Sequence, residues 1–405
     1  MAAGRALTVL ATVLGRLGDP GREETIVEAL ALLEAQPPGP ELVAAHAALA
    51  GTRFVGSAFP EAIAAAERAL ALAAALGLPE PARALGFRGV ARCSLGERQG
   101  LEDMRRALAL ALAQGQGRAA AVLHNNLAAA VHQYEGPRAA LEACREGIDF
   151  CERRGITEFA LAIAGGSTTL LAELGQPEQA LAEAEPLAER LEAAGDVAFI
   201  EPRSLQLRLL AERGTHEHAP AADALVASAR ETGEPQTYAV AFAAAARLLL
   251  AQGRPQQARA LLLELEQVAG IRADPYYASL LPELVRSTLA LGDSELPARL
   301  VRGVEPTTPL QAHALSAARP QLAEAAGEHA QAATLYAESA TRWQEFGNVP
   351  ERAYALLGQG RCLATLGQPP AEPLREAREL FASMGYTPAL AETEALLGES
   401  EAEAV

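Results

Sequence analysis

The sequence predicts an all-α fold: one right-handed superhelical solenoid of about ten helical hairpins. Three observations predict it. Glycines that close short polar turns recur from Gly18, Gly56 and Gly96 to Gly327 and Gly367, at intervals of 38, 40, 40, 39, 39, 39, 39, 35 and 40 residues. A fixed period over the whole chain is the mark of a stacked repeat. Half of the residues are apolar but only 4% are aromatic, so the apolar content is mostly Ala, Leu and Val, which suits helices better than strands. Apolar side chains also fall at helical spacing, as in Ile63, Ala66, Leu70 and Ala73, or Tyr336, Ser339, Trp343 and Phe346. At 405 residues the chain is longer than one compact domain, and an elongated stack accommodates that length.

In chain order, residues 1–36 carry the stripe Leu7, Leu10, Val13, Leu14 and Leu17 with only Arg5 and Arg16 for charge. One helix covers one face of that stripe against residues 22–35. The remainder is expected to form a self-association or domain-docking surface. From Gly18 onward each period holds two helices, because a second set of breaks runs through Gly77, Gly115–Gly117, Gly155, Gly195, Gly233, Gly270, Gly347 and Gly385. Turns such as LAELGQPEQA (171–180) and LLAQGRPQQA (249–258) end one helix in glycine and open the next on proline or an acidic residue. Between Gly292 and Gly327 the interval shortens, and residues 303–309 place two prolines and a glycine together. No helix continues through them. The expectation is a hinge there, between repeats 1–302 and the C-terminal repeats 310–405 of one continuous solenoid, and a first site of proteolysis. At the C-terminus Leu390, Leu396 and Leu397 can face inward with Glu392, Glu394, Glu399, Glu401 and Glu403 outward, the pattern of a cap.

The period lies between the 34 residues of a tetratricopeptide unit and the 40–47 of HEAT or armadillo units. The turn chemistry, Leu-Gly followed by a polar turn and then Ala-x-x-Leu, favours tetratricopeptide hairpins lengthened by about a turn, with HEAT as the alternative. HNNLAAAVHQYEG (124–136) has the Asn-Asn-Leu-Ala helix of such repeats. RAYALLGQGRCLATLGQPPAEPLREARELFASMGYTPALAETEALL (352–397) and the preceding 321–361 resemble the C-terminal tetratricopeptide-like region of bacterial STAND or AAA-type ATPase regulators, linked to adenylate-cyclase or LuxR-type domains. The resemblance implies the sensor or scaffold part of such proteins. Their ATPase and DNA-binding activities do not transfer, since the phosphate-loop lysine and a basic recognition helix are both missing.

Charge narrows the function further. The net charge is −17, and all 34 cationic side chains are arginines. An acidic chain lacks the basic face that nucleic acid requires. Without lysine there is no Walker-A loop, Schiff-base centre or lysine base. Cys93, Cys144, Cys151 and Cys362 are too scattered for a disulfide framework or a zinc knuckle. His216-Glu217-His218 lacks the i, i+4 spacing of a zinc-protease helix, and the small residues of AGGSTTL (164–170) read as close helix packing. No cofactor, metal or membrane segment is expected, and a cytoplasmic location follows from that reading.

Two sets of residues remain as candidates. Counting six residues back from each turn glycine, a phase expected to face the groove, lands on Arg208, Arg247, Arg286 and Arg361. Arginine forks suit carboxylates, so this ladder suggests an acidic peptide or a phosphorylated ligand. The competing reading pairs each arginine with a glutamate of the next hairpin. Asn125 and Asn126, with His132 on the same face, can hold the backbone of an extended peptide, or can bond within the repeat. The sequence therefore points to a non-enzymatic protein–protein interaction scaffold or regulatory module of a bacterial signalling system, binding a peptide or protein in its concave groove. The alternative is a small-molecule sensor with its ligand inside the superhelix.

Overall fold

In the computed structural model the described residues are 1–17, 19–215, 221–293 and 295–403; the His216–His218 motif lies outside them. The chain is all-helical there, as ten successive hairpins and a final helix. The hairpins are α1 (Ala2–Arg16) with α2 (Arg22–Glu34), α3 (Pro40–Val55) with α4 (Phe59–Ala75), α5 (Ala82–Ser94) with α6 (Gly100–Ala113), and α7 (Gly117–Glu135) with α8 (Pro137–Glu152). There follow α9 (Thr157–Glu173) with α10 (Pro177–Ala193), α11 (Ile200–Glu212) with α12 (Ala222–Thr232), and α13 (Pro235–Ala251) with α14 (Pro255–Gln267). The eighth unit is broken into α15 (Pro275–Ser279), α16 (Leu281–Ala290) and the short α17 (Leu296–Val301). The stack ends with α18 (Pro309–Ala325) and α19 (His329–Phe346), α20 (Val349–Thr365) and α21 (Ala371–Met384), and α22 (Thr387–Glu403).

Local chemistry explains the boundaries. Pro137, Pro177 and Pro309 open their helices at the first position, where the missing N–H would have had no partner. Almost every turn glycine takes positive φ. The first described corner departs from the expected pattern: Gly56 has φ −79°, and the left-handed residue is Ser57 at φ +57°. Packing within the stack depends on alanine. In α13, Ala241 and Ala243 to Ala246 are all buried, so this helix is covered on nearly every side by its neighbours.

The stack does not stay open. Besides contacting its immediate neighbours, α7 meets α18, α9 meets α20 and α11 meets α22. Accordingly, one hydrophobic core joins Val43–Leu209 to Ala323–Leu397, while Leu187–Ala318 form a second. The corners of the early hairpins form the seam. The Thr307 hydroxyl donates to the Ser94 carbonyl at 2.7 Å, that of Thr308 to Gln133 Oε1 at 2.8 Å, and that of Thr387 to the Arg213 carbonyl at 2.6 Å. Nearer the N-terminus, the Ser57 hydroxyl donates to Asp274 at 3.2 Å and Arg22 pairs with Glu234.

Segment 303–308 is non-helical and α17 is short, as the proline pattern predicts. Its side chains nevertheless tie it to the preceding superhelical turn, and Val304 and Thr308 are buried. Ready proteolysis there is therefore not what the packing favours. At the N-terminus Val9, Val13 and Leu17 are 60%, 49% and 56% exposed, the wet stripe that a docking role for residues 1–36 requires. At the other end Leu397 is buried and Leu390 and Leu396 pack against the core.

Gly136 shows why the seam needs glycine. It sits at φ 90° and ψ 176°, a region closed to L side chains, and an added Cβ would run into the Phe346 carbonyl oxygen. Gly253 takes the left-handed conformation at φ +70° with open space around it. Gly253→Ala should cost ~1–2 kcal/mol, the left-handed penalty alone. Gly136→Ala should cost clearly more in urea unfolding, because it also pushes the two superhelical turns apart. Equal losses would remove the close approach from the account.

Candidate ligand channel

Because the stack closes on itself, its concave face becomes an internal channel. Two cavities, of about 280 and about 530 Å³, share Phe54, Asn125, Ala162, Glu201, Val240 and Tyr276 and so meet in the middle. Their volumes are those of sites for small ligands or short peptides.

The 39-residue period builds the lining. On α9 the channel face carries Ala162, Gly166, Thr169 and Glu173, positions i, i+4, i+7 and i+11 of one helix stripe. One period later α11 presents Glu201, Leu205, Arg208 and Glu212 in the same four phases. A further period gives Val240 and Ala244 on α13, and the next gives Ser279, Glu283 and Arg286 at α15–α16. The arginine phase is thus an inward-facing phase for Arg208 and Arg286, which line the smaller cavity.

It is not a free positive ladder: of the two readings the pairing of each arginine with a glutamate is the one seen, in place of a groove left open to an acidic partner. Every one of the four arginines is matched by a carboxylate. Arg208 Nη1 lies 3.4 Å from Glu283 Oε2, two hairpins on. Arg247 Nε donates to Glu212 at 2.8 Å, and the other oxygen of Glu212 accepts from the Tyr354 hydroxyl on α20. Arg286 forms a two-pronged pair with Glu351 at 2.8 and 2.5 Å, its guanidinium 4.1 Å from the Tyr354 ring centroid. Arg361 lines neither cavity and bridges Glu324 on α18 and Glu392 on the final helix α22. Burial works against these charges, but the facing partners overcome it. Glu212 is held below the ordinary carboxylate value by Arg247 and Tyr354, and the Arg247 and Arg286 guanidinium groups are held more firmly protonated than usual.

The other predicted residues all reach the channel. Asn125 lines both cavities and Asn126 the larger one, with Asn125 Nδ2 donating to Asn126 Oδ1 at 3.3 Å. His132 lines the smaller cavity and bonds Glu173 at 2.6 Å. Burial lowers its proton affinity, yet Glu173 and more distant Glu201 reverse the sign and raise its pKa.

Sequence reasoning missed the carboxylates. One signal was present: Glu173 and Glu212 are 39 apart, each two residues before a turn glycine. Glu201, Glu283 and Glu351 carry no such mark. Arg83, which lines the larger cavity from α5, also went unnoticed. The small residues of 164–170 do lie inside a helix, α9, and all four cysteines are free and buried. Among the described residues no helix is long and apolar enough to cross a membrane.

No family model matches the chain, and no curated protein matches it. Among solved structures it is similar to the apo form of the quorum sensor NprR from B. thuringiensis, with 14% identity, 94% of this chain and 98% of that one covered, and a TM-score of 0.43. It is also similar to a Rap protein complexed with competence and sporulation factor, with 10% identity, 90% and 99% covered, and a TM-score of 0.44.

The channel pairs predict a structural cost. Arg247→Ala leaves Glu212 buried without its cation and should lower stability by an amount approaching the ~3–5 kcal/mol lost when one partner of a buried pair is removed. Replacing both, Arg247→Met with Glu212→Leu, should recover most of it. A single variant as stable as the parent would mark Arg247 as a solvated groove residue after all.

Proposed function

We propose that the chain is a non-enzymatic regulatory module whose internal channel takes a short peptide or a ligand of that size. The observation that carries this reading is the closure itself. Contacts of α7 with α18, α9 with α20 and α11 with α22 wall off the concave face, so a folded domain has no room to enter, while an extended segment does. The lining suits such a segment. Asn125 and Asn126 supply amide donors and acceptors for a main chain, and Ala162, Val240 and Tyr276 supply apolar contact.

The paired arginines leave little reason for an acidic partner. A regulatory role agrees with the resemblance to the repeat regions of bacterial STAND-type regulators, in which such a module senses or docks rather than catalyses. A bound segment would touch both superhelical turns at once and stabilise the closed form by mass action.

Ala162→Trp provides the test. Ala162 lines both cavities where they meet, so an indole there obstructs the channel at its middle. Screening short peptides by thermal shift and calorimetry should find ligands of the parent that the variant fails to bind, with helix content unchanged. Ligands that bind both proteins equally would place the binding surface outside the channel.

A further inference from the structure

Most of the charged groups around the larger cavity have a partner in direct contact, but Glu201 and Arg83 have no ion pair among the described residues. Arg22 on the rim meets Glu234, and Arg118 meets Glu158 at 2.8 Å. Asp196 accepts from the Ala198 backbone N–H. Glu201, at the start of α11, makes no direct ion pair among the described residues; its carboxylate meets the Thr169 hydroxyl at 3.5 Å, and His132 and Arg208 act on it only from beyond ion-pair distance. Arg83, at the start of α5, likewise has no carboxylate, and its Nε is buried without a hydrogen-bond partner. The guanidinium of Arg83 rests 5.5 Å from the Phe87 ring centroid, which fixes its stem without neutralising its charge. Both side chains line the same cavity of about 530 Å³.

Two charges of opposite sign without a direct ion pair, in one cavity and from different hairpins, are costly unless something supplies the contact partners. For Glu201 the distant His132 and Arg208 offset burial only in part, since its carboxyl stays raised. They do not neutralise each other, since α7 and α9 intervene between α5 and α11 in the stack. Between them lie Asn125 and Asn126 on α7, and Phe159 and Ala162 on α9. The order along the wall is therefore a cation, two amides, apolar surface and an anion. The neighbouring cavity repeats the theme more weakly, for Glu283 Oε1 is buried there with no donor.

We propose that the larger cavity is built for a zwitterionic short peptide: a ligand ammonium at Glu201, its main chain along Asn125 and Asn126, and its terminal carboxylate on the fork of Arg83. This rests on the channel reading above and adds the chemical class and polarity of the ligand. Burial raises the Glu201 carboxyl above its ordinary value and makes the Arg83 guanidinium easier to deprotonate, the directions expected of groups awaiting a partner. A guanidinium takes a carboxylate through two parallel bonds, and a carboxylate takes an ammonium through a charge-assisted one. A ligand free at both ends thus satisfies both groups, and a capped one leaves one of them buried and alone.

The test uses oligoalanines of two to five residues on the full chain, with both ends free, N-acetylated only, C-amidated only, or capped at both. Calorimetry with the parent should show the free peptide of best length binding roughly tenfold or more tighter than either singly capped form. Glu201→Gln should remove the penalty of acetylation and leave that of amidation. Arg83→Met should do the reverse. In the ligand-free protein each substitution should hold or raise the melting temperature, because each removes a buried charge that has no direct ion pair. Doubly capped peptides that bind as tightly as free ones, and are lost in Ala162→Trp, would overturn the zwitterion site and leave the channel reading standing. A fall in ligand-free melting temperature in either variant would make that residue a structural partner and overturn the site as well. Failure of every oligoalanine to bind would reject the site together with the peptide reading on which it rests.

Discussion

The closest approach of two superhelical turns governs this molecule. Corners of the early hairpins press against segments that follow them by some 170 to 210 residues, and the corner residue is glycine each time: Gly96 on Thr307, Gly136 on Phe346, Gly175 on Val349 and Gly214 on Thr387. At Gly96 and Gly214 an added Cβ would lie only 2.8 and 2.9 Å from Thr307 O and Thr387 Oγ1. The later corner glycines, Gly253, Gly292, Gly327 and Gly367, have open space instead. One residue type thus serves two ends. It turns the chain at almost every described corner, with Ser57 taking that place at one of them, and in the early hairpins it also lets the later ones close over it.

Closure converts a groove into an interior, and an interior changes what charge does. On an open concave face Arg208, Arg247 and Arg286 would be solvated and available to an acidic partner. Inside, an unmatched ion is costly, and each of the three faces a glutamate. Two of the three pairs, Arg208–Glu283 and Arg286–Glu351, skip a hairpin, so they join elements that a linear stack would keep apart. Packing, closure and electrostatics therefore support one another: the seam partly shields the pairs from solvent, and the pairs join the walls they span.

Much of this was legible in the sequence, and what was not has a physical reason. The glycine period fixes the hairpins, the helix lengths, and the short α17 before residues 303–309. The predicted inward phase is met only in part: Thr169, Arg208 and Arg286, one period apart or a multiple of it, line the smaller cavity, while Arg247 and Arg361 at the same phase line neither. Periodicity, however, describes each repeat against its neighbours. Contacts across a superhelical turn depend on small per-repeat rotations that accumulate, and no local pattern records their sum. Glu351 and Tyr354 lie on α20, far along the chain from the α11–α16 wall they complete, so the reading that pairs each arginine with a glutamate of the next hairpin could not find the partners that skip one. Segment 303–308 was read as loose for the same reason: its prolines are visible locally, but the anchors at Ser94 and Gln133 are not. Ser57 in place of Gly56 shows the smaller kind of miss, a turn shifted by one residue.

The central claim is that the stack closes, and a distance measurement addresses it directly. Arg98 and Glu305 are exposed, near the two sides of the seam at Gly96 and Thr307, and both lie outside helices. Nitroxide labels at these positions, read by double electron–electron resonance in solution, should give one narrow distribution at the short end of the accessible range, and adding a channel ligand should leave it short. A broad distribution centred at long distance would show an open solenoid, and with it the enclosed channel would be lost.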